Sequence, residues 1–332
     1  MSTVRWGIVG PGRIAEKFAT DLRVVKSARL HAVASRSVER AEAFGRRFGA
    51  KRSYGSYREL AADAEVDAVY VATPHHVHLE AAAPQLEAGK AVLVEKPIAA
   101  TARQATEMVE RARRADVFLM EAMWTRFVPM MEVVRRWLDE GAIGEVRLVR
   151  ASFGFGKRED RPYPRRLTDP AMAGGSLLDV GIYPLMLARW VYGDPALTTR
   201  ALASVGPTGV DGACSIIQSF PGGGLAELSS AVDVETHRNA LIAGSRGQIE
   251  IPYFHGAQEA VLIRDGERHH VSRPFESGGF EYQIRAVGRC LGAGLTESPK
   301  MPLAESLENV RLMDAIRRQV GVAYPFDDAQ GP

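Results

Sequence analysis

No stretch of this sequence restricts the fold as strongly as the junction where the apolar run 4–9 passes directly into Gly10-Pro11-Gly12-Arg13-Ile14-Ala15. In the pattern Gly-x-Gly-x-x-Ala, the first glycine permits a tight turn and the second lets the backbone approach a pyrophosphate. The alanine lets the next helix pack closely on the strand, so that the helix N-terminus and its dipole face the phosphates. The same letters in isolation fit an ordinary glycine-rich turn. Here they lie between an apolar strand pattern and a helical one, at the head of a repeated alternation, which makes them a dinucleotide-binding signature. Gly7, Gly10, Gly12, Arg13 and Ile14 are therefore candidate cofactor contacts.

The alternation runs for about 120 residues. Apolar runs at 4–9, 30–34, 68–72, 91–94 and 117–120 read as buried strands, and 13–25, 38–48, 57–62, 78–88 and 102–114 have helical spacing between them. Strands separated by helices of this length predict a parallel sheet with helices on both faces. After residue 122 the pattern changes. Helical spacing at 128–138 and 176–191 flanks a strand at 146–155, and strand-like runs broken by Gly and Pro dominate 198–272. Two helices, 280–291 and 303–319, finish the chain. The fold expected is α/β. A Rossmann dinucleotide-binding domain occupies residues 1–122, and a substrate-binding and oligomerisation domain with a large, mostly antiparallel open sheet occupies 123–332. A length of 332 residues suits two such domains, expected to be joined tightly with a cleft between them.

The end of the second strand bears on which dinucleotide is held. NAD sites place an acidic residue there, on the ribose 2′-hydroxyl. This chain has Ala34-Ser35-Arg36-Ser37, with Arg40 one turn later. Without a carboxylate to repel a 2′-phosphate, and with two guanidiniums to pair with one, the reading is NADP rather than NAD.

Composition excludes other classes. Lys and Arg number 42 against 40 Asp and Glu, a balance too even for nucleic acid or an anionic membrane as the main partner. No uncharged apolar run reaches the length of a membrane span, and Met1-Ser2-Thr3 leads straight into the first strand, so a cytoplasmic protein is expected. The two cysteines, Cys214 and Cys290, form no CxxC pair. His75-His76-Val77-His78 lacks the accompanying ligand motif of a metal helix, and no metal is expected. The mixed charges of 157–161, with Arg165 and Arg166, read as a solvated loop or lid, and Gly222-Gly223-Gly224 as a hairpin turn.

Two places carry candidate chemistry. Val92-Leu93-Val94-Glu95-Lys96-Pro97 sets Lys96 just past the C-terminal end of a buried strand, where ligands bind in open α/β sheets. Farther on, Gly174-Gly175-Ser176-Leu177-Leu178-Asp179-Val180-Gly181-Ile182-Tyr183 opens a helical stretch in which Asp179 and Tyr183 share one face. That spacing fits a helix-dipole carboxylate and a half-buried tyrosine as well as it fits catalysis.

Taken in order, Gly-x-Gly-x-x-Ala, Ala72-Thr73-Pro74 with His78, Glu95-Lys96-Pro97 and Gly-Gly-x-Leu-Leu-Asp-x-Gly-x-Tyr resemble the Gfo/Idh/MocA oxidoreductase family. The segment 120–127 (Met-Glu-Ala-Met-Trp-Thr-Arg-Phe), the run 151–154 and the tail 297–303 resemble its branch of dimeric dihydrodiol dehydrogenases and NADP-dependent D-xylose dehydrogenases. The resemblance implies that Lys96 is the catalytic lysine and that the family's Asp-x-x-x-His pair falls on Asp179 and Tyr183. Tyr stands where most members have His, as it does in that branch. It also implies a nicotinamide end near Thr73, Pro74, His76, Glu95 and Lys96, and a substrate pocket with Trp124, Arg126 and Phe153. Tyr183 would exchange the hydroxyl proton, with the Lys96 ammonium favouring its phenolate and holding the reacting oxygen, while Asp179 orients Lys96 or a second hydroxyl. The activity implied is hydride transfer between NADP and a sugar or vicinal diol, in a homodimer or higher homo-oligomer. The alternative is a non-catalytic NAD(P)-binding sensor.

Overall fold

The computed structural model describes residues 3–156 and 163–327, so the charged run 157–161 lies outside the described residues. The chain divides into two compact units, one of Met1–Phe127 with Phe275–Val310, the other of Val128–Pro274 with Arg311–Pro332.

The first unit begins with β1 (Val4–Val9), α1 (Arg13–Leu22), β2 (Ala28–Ala34), α2 (Val38–Phe48) and β3 (Arg52–Tyr54). It continues with α3 (Tyr57–Ala61), β4 (Ala68–Val71), α4 (His78–Glu87), β5 (Ala91–Val94), α5 (Ala102–Ala115) and β6 (Leu119–Glu121). The strands form one parallel sheet in the order β3-β2-β1-β4-β5-β6. This is the doubly wound order whose switch point lies between β1 and β4. Helices cover both faces of such a sheet, which explains why β4 and β5 are buried at every residue and read as unbroken apolar runs. The helices start on local signals: Ser37 caps α2, Thr101 caps α5, and Ser56 with Glu59 makes a capping box on α3. Among the described strands of this unit, β3 alone was not legible in the sequence. It is three residues long, half-exposed and at the edge, so it has no apolar run to betray it.

The second unit contains α6 (Pro129–Asp139), β7 (Val146–Gly154), α7 (Arg165–Thr168) and α8 (Ile182–Tyr192). Strands β8 (Thr198–Val205), β9 (Asp211–Ser219), β10 (Leu225–Ala231), β11 (Ala240–Gly244) and β12 (Gly247–Ile251) follow, then β13 (Glu259–Arg264) and β14 (Glu267–Ser272). They form an eight-stranded sheet in the order β14-β13-β12-β11-β7-β10-β9-β8. Every pairing is antiparallel except β7 with β10. The stretch Pro170–Tyr192 is long and apolar enough to cross a membrane by length and composition, but 89% of its apolar window is buried inside the protein, as befits a core helix.

Helix α9 (Glu281–Gly292) and the first part of α10 (Leu303–Val320) belong to the first unit, which corrects the division into two continuous blocks at 122/123. The cause is a set of long-range bonds with no local sequence signature. Buried Asp21, on α1, accepts hydrogen bonds from Ser277 Oγ (2.8 Å), Gly278 N (2.8 Å) and Phe280 N (2.9 Å). Lys17 donates to Asp21 and to the Gly278 carbonyl, and Leu119 N donates to Thr296 O.

Candidate active site

In the first unit the glycine turn behaves as its sequence requires. Gly10 has φ +86°, and a β-carbon there would meet Thr73 Cγ2 at 2.9 Å and Thr73 N at 3.0 Å. Gly12 differs: its φ of −114° suits any residue, and a β-carbon would find nothing within 4 Å. The space in front of Gly12 is thus open, and α1 begins there with no side-chain cap on its first amides. Arg13 is exposed and Ile14 half-buried in that first turn, while Gly7 sits under Leu60 and Val66. Thr73 Oγ1 is buried without a hydrogen-bond partner. Open space, uncapped amides and an orphaned hydroxyl at the switch point fit a dinucleotide.

At the end of β2, Ser35 is buried and Arg36 and Arg40 are exposed. Both arginine charges act on the Tyr57 hydroxyl, lowering its pKa against the upward push of burial, so both lie near that ring. Nearby Glu39 is turned onto Ser37 Oγ at 2.7 Å.

Beyond β5, the Lys96–Pro97 peptide is cis and the lysine backbone is tethered on both sides. Glu95 N donates to Val71 O at 2.9 Å, and His78 Nδ1 lies 2.9 Å from Pro97 O. His78 Nε2 lies 2.8 Å from Thr73 O, so this buried ring joins the two loops read as cofactor-binding. Burial lowers the His78 pKa to about 4 against the opposing pull of those carbonyls. The Tyr70 hydroxyl donates to Glu95, which is itself buried, and exposed Pro74 and half-buried His76 lie on the neighbouring turn. Trp124 packs against Phe280 at 5.3 Å and Phe275 at 5.9 Å, with Lys17 Nζ 5.3 Å from its ring centroid. Arg126, read as a pocket residue, is engaged in an ion pair with Glu305.

Among the described residues one group, His31, Asp63 and Glu65, has metal-ligand side chains close together. Arg52 bridges its two carboxylates, at 2.7 Å to Asp63 and 2.5 Å to Glu65, and supplies the positive charge that a cation would bring.

In the second unit, Gly174 and Gly175 lead into a π-turn, Leu177–Gly181, that carries Asp179 and runs into α8, which carries Tyr183. The sequence suggested one continuous α-helix, and a π-turn is a departure that recurs at functional sites. Gly175 has φ +118°, and a β-carbon there would lie 2.2 Å from Asp211 Oδ1. Asp211 Oδ2 in turn accepts from Ser176 Oγ and Leu177 N, both at 2.7 Å, and so secures the start of the turn. Tyr324 donates to Gly174 O at 2.7 Å.

Asp179 accepts from Arg166 Nη1 at 2.7 Å. Arg166 is therefore not part of a merely solvated loop, as its charged surroundings suggested. Tyr183, 6% exposed, packs against Phe153 at 5.3 Å and His255 at 5.9 Å, and Phe153 stacks on His255 at 4.1 Å. His255 and Asp211 went unread in the sequence, because each is a lone polar residue remote from the motif, His255 on a short 3-10 turn and Asp211 at the start of β9. Cys214 and Cys290 are buried free thiols, and burial pushes Cys214 up to about 12.

Residues 4–123 match the oxidoreductase family with an NAD-binding Rossmann fold, and residues 131–250 match the GFO/IDH/MocA C-terminal domain. The chain belongs to the GFO/IDH/MocA oxidoreductase family. Within it, the chain is 39% identical to trans-1,2-dihydrobenzene-1,2-diol dehydrogenase of Mus musculus over 98% of its own length and 99% of the relative's. The Homo sapiens protein of that name is 34% identical over the same shares. Among solved structures, a 3-ketoreductase from Actinomadura kijaniata in complex with NADP and TDP-benzene superposes with a TM-score of 0.86. It is 27% identical, over 97% of this chain and 99% of that one. It has also been solved with a single tyrosine or a single lysine replaced. An aldose–aldose oxidoreductase from Caulobacter crescentus complexed with glycerol has a TM-score of 0.86 and 26% identity, over 96% and 97% of the two chains.

Proposed function

We propose that this protein is an NADP-dependent oxidoreductase acting on a sugar or a vicinal diol. The observation that carries the reading is its end-to-end likeness to dihydrodiol dehydrogenases in a chain that has Lys96 at a tethered strand end and Tyr183 beside a π-turn. The Gly10–Gly12 turn, the uncapped amides of α1 and Thr73 would hold the pyrophosphate, and Arg36 and Arg40 a 2′-phosphate. When bound, the nicotinamide accepts or donates the hydride.

The chain's own residues manage the proton and the charge. Oxidising a hydroxyl requires a base for its proton, and a free tyrosine, with a pKa of about 10, is a weak base at neutral pH. The Lys96 ammonium favours the phenolate of Tyr183 and hydrogen-bonds the same substrate oxygen, stabilising negative charge as it develops. In the reductive direction Tyr183 returns the proton. Asp179, already held by Arg166, orients a second hydroxyl, and Phe153 with His255 presents an aromatic wall that suits a sugar face or a diol ring. Trp124 supplies a further aromatic contact.

The partner surface is read in the same way. Leu202, Ile217 and Leu225 share one face of β8, β9 and β10 and are 81%, 58% and 47% exposed, a patch suited to a second copy of the chain in a cytoplasmic homodimer.

The test is absorbance at 340 nm over a panel of aldoses and diols that includes D-xylose and trans-1,2-dihydrobenzene-1,2-diol. Lys96→Met and Tyr183→Phe should each lower turnover at least about a hundredfold with NADPH affinity nearly intact. Full turnover in either variant contradicts the assigned roles, and silence of the parent protein across the panel favours the sensor reading.

A further inference from the structure

Glu121 closes β6 and is fully buried. A carboxyl group in that position costs free energy unless both oxygens are bonded. They are. Oε1 accepts from Ile98 N at 2.9 Å, and Oε2 accepts from Ser306 Oγ of α10 at 2.7 Å. An apolar side chain would fill the same space at lower cost, so the bonds themselves need a reason.

The reason lies in what Ile98 follows. Pro97 has no N–H, so the Ile98 amide is the first main-chain donor after Lys96. Glu95 N on Val71 O, His78 on Pro97 O and Ile98 N on Glu121 are three tethers around the lysine, all drawn from buried groups. Of the three, only the last depends on a carboxylate that also reaches a separate helix. The Lys96 ammonium acts on Glu121 through space, lowering a pKa that burial otherwise raises, so the lysine charge is close. The neighbouring carboxylate, Glu305, opposes it and is engaged by Arg126.

We propose that Glu121 is a positioning residue for Lys96, holding the loop after β5 in register with α10 through the Ile98 amide and Ser306. The proposal rests on the reading of Lys96 as the group that contacts the reacting oxygen. Loss of the tether would leave Lys96 in place chemically but mis-aimed, and a displacement of about 1 Å can cost on the order of a hundredfold in rate.

The experiment uses the full chain with NADP and trans-1,2-dihydrobenzene-1,2-diol or D-xylose as probe. In Glu121→Ala, kcat should fall about thirtyfold, with substrate KM and NADPH Kd within about threefold. Glu121→Gln keeps an acceptor for Ile98 and can donate to Ser306 Oγ, and it should recover to within about fivefold of the parent. Glu121→Asp, which keeps the charge but shortens the reach, should fall below Gln. The proposal is overturned if Ala leaves kcat within threefold, if KM and Kd degrade in step with kcat, or if Asp outperforms Gln. Should the Ala variant not fold, the order of Gln and Asp decides. Lys96→Met is assayed alongside. Full turnover there overturns the reading of Lys96, whereas a dead Lys96→Met beside a fully active Glu121→Ala overturns the tether alone.

Discussion

Replacing Gly175 by alanine should injure this protein more than its chemistry suggests, and the structure supplies the magnitude. At φ +118° an L-residue is strained by about 1–3 kcal/mol. The new β-carbon would also sit 2.2 Å from Asp211 Oδ1 and 3.1 Å from Cγ, so the carboxylate must swing away. Its two 2.7 Å bonds, from Ser176 Oγ and Leu177 N, are charge-assisted when Asp211 is ionised and worth about 1.5–3 kcal/mol each. Losing one of them together with the strain gives a destabilisation of about 3–5 kcal/mol, a large share of the roughly 5–15 kcal/mol that holds a typical domain. The assay is urea denaturation followed by tryptophan fluorescence, with Gly193→Ala as control. Gly193 also has positive φ (+78°), but a β-carbon there meets nothing within 4 Å, so only backbone strain of about 1 kcal/mol applies. Because Asp179 lies on the turn that Gly175 leads into and Tyr183 on the helix that continues it, kcat should fall with stability in Gly175→Ala and stay near parental in the control. If the two variants differ by less than about 1 kcal/mol, the close approach of Gly175 to Asp211 does not carry the role assigned to it.

Gly12→Ala is the converse case. With allowed backbone angles and open space ahead, its melting temperature should match the parent's while NADPH affinity drops at least about tenfold, measured by fluorescence titration; unchanged affinity would place the pyrophosphate elsewhere. Arg36→Ala should weaken NADPH far more than NADH, and equal weakening of both would remove the 2′-phosphate reading. Burial pushes the Glu121 pKa up to about 7, from about 4.3 in an unfolded chain. Between those values the folded protein holds a proton that the unfolded chain has lost, so this group's contribution to stability falls as pH rises. Glu121→Gln should therefore gain about 3 kcal/mol relative to the parent between pH 4.5 and 7.5 in urea melts, and a difference independent of pH would refute the burial argument.

Much of the architecture was legible because it is written in local periodicity. The first strand, the second helix and the fifth strand fall where apolar spacing places them, since a parallel strand covered on both faces must be apolar throughout. The antiparallel sheet was readable as strand-rich, yet β14, which carries Glu267, Arg268, His269 and His270, lacks any apolar alternation. Its ladder with β13 holds it, which is a property of the partner strand. The same limit applies at the site. Gly10, Lys96 and Tyr183 announce themselves through motif and position. Arg166 on Asp179, and His255 on Phe153, do so only once the chain has closed on itself.

By itself the sequence determined the dinucleotide turn, the order of strands and helices in the first unit, and which side chains are candidates for the chemistry. Each of these depends on residues within a turn or two of one another. Tertiary structure alone decided that 275–310 belongs with the first unit, that Glu121 grips the backbone beyond Lys96, and that Asp211 secures the π-turn bearing Asp179. Those are contacts across tens to hundreds of residues. A buried carboxylate carries no local mark of which distant amide it will accept.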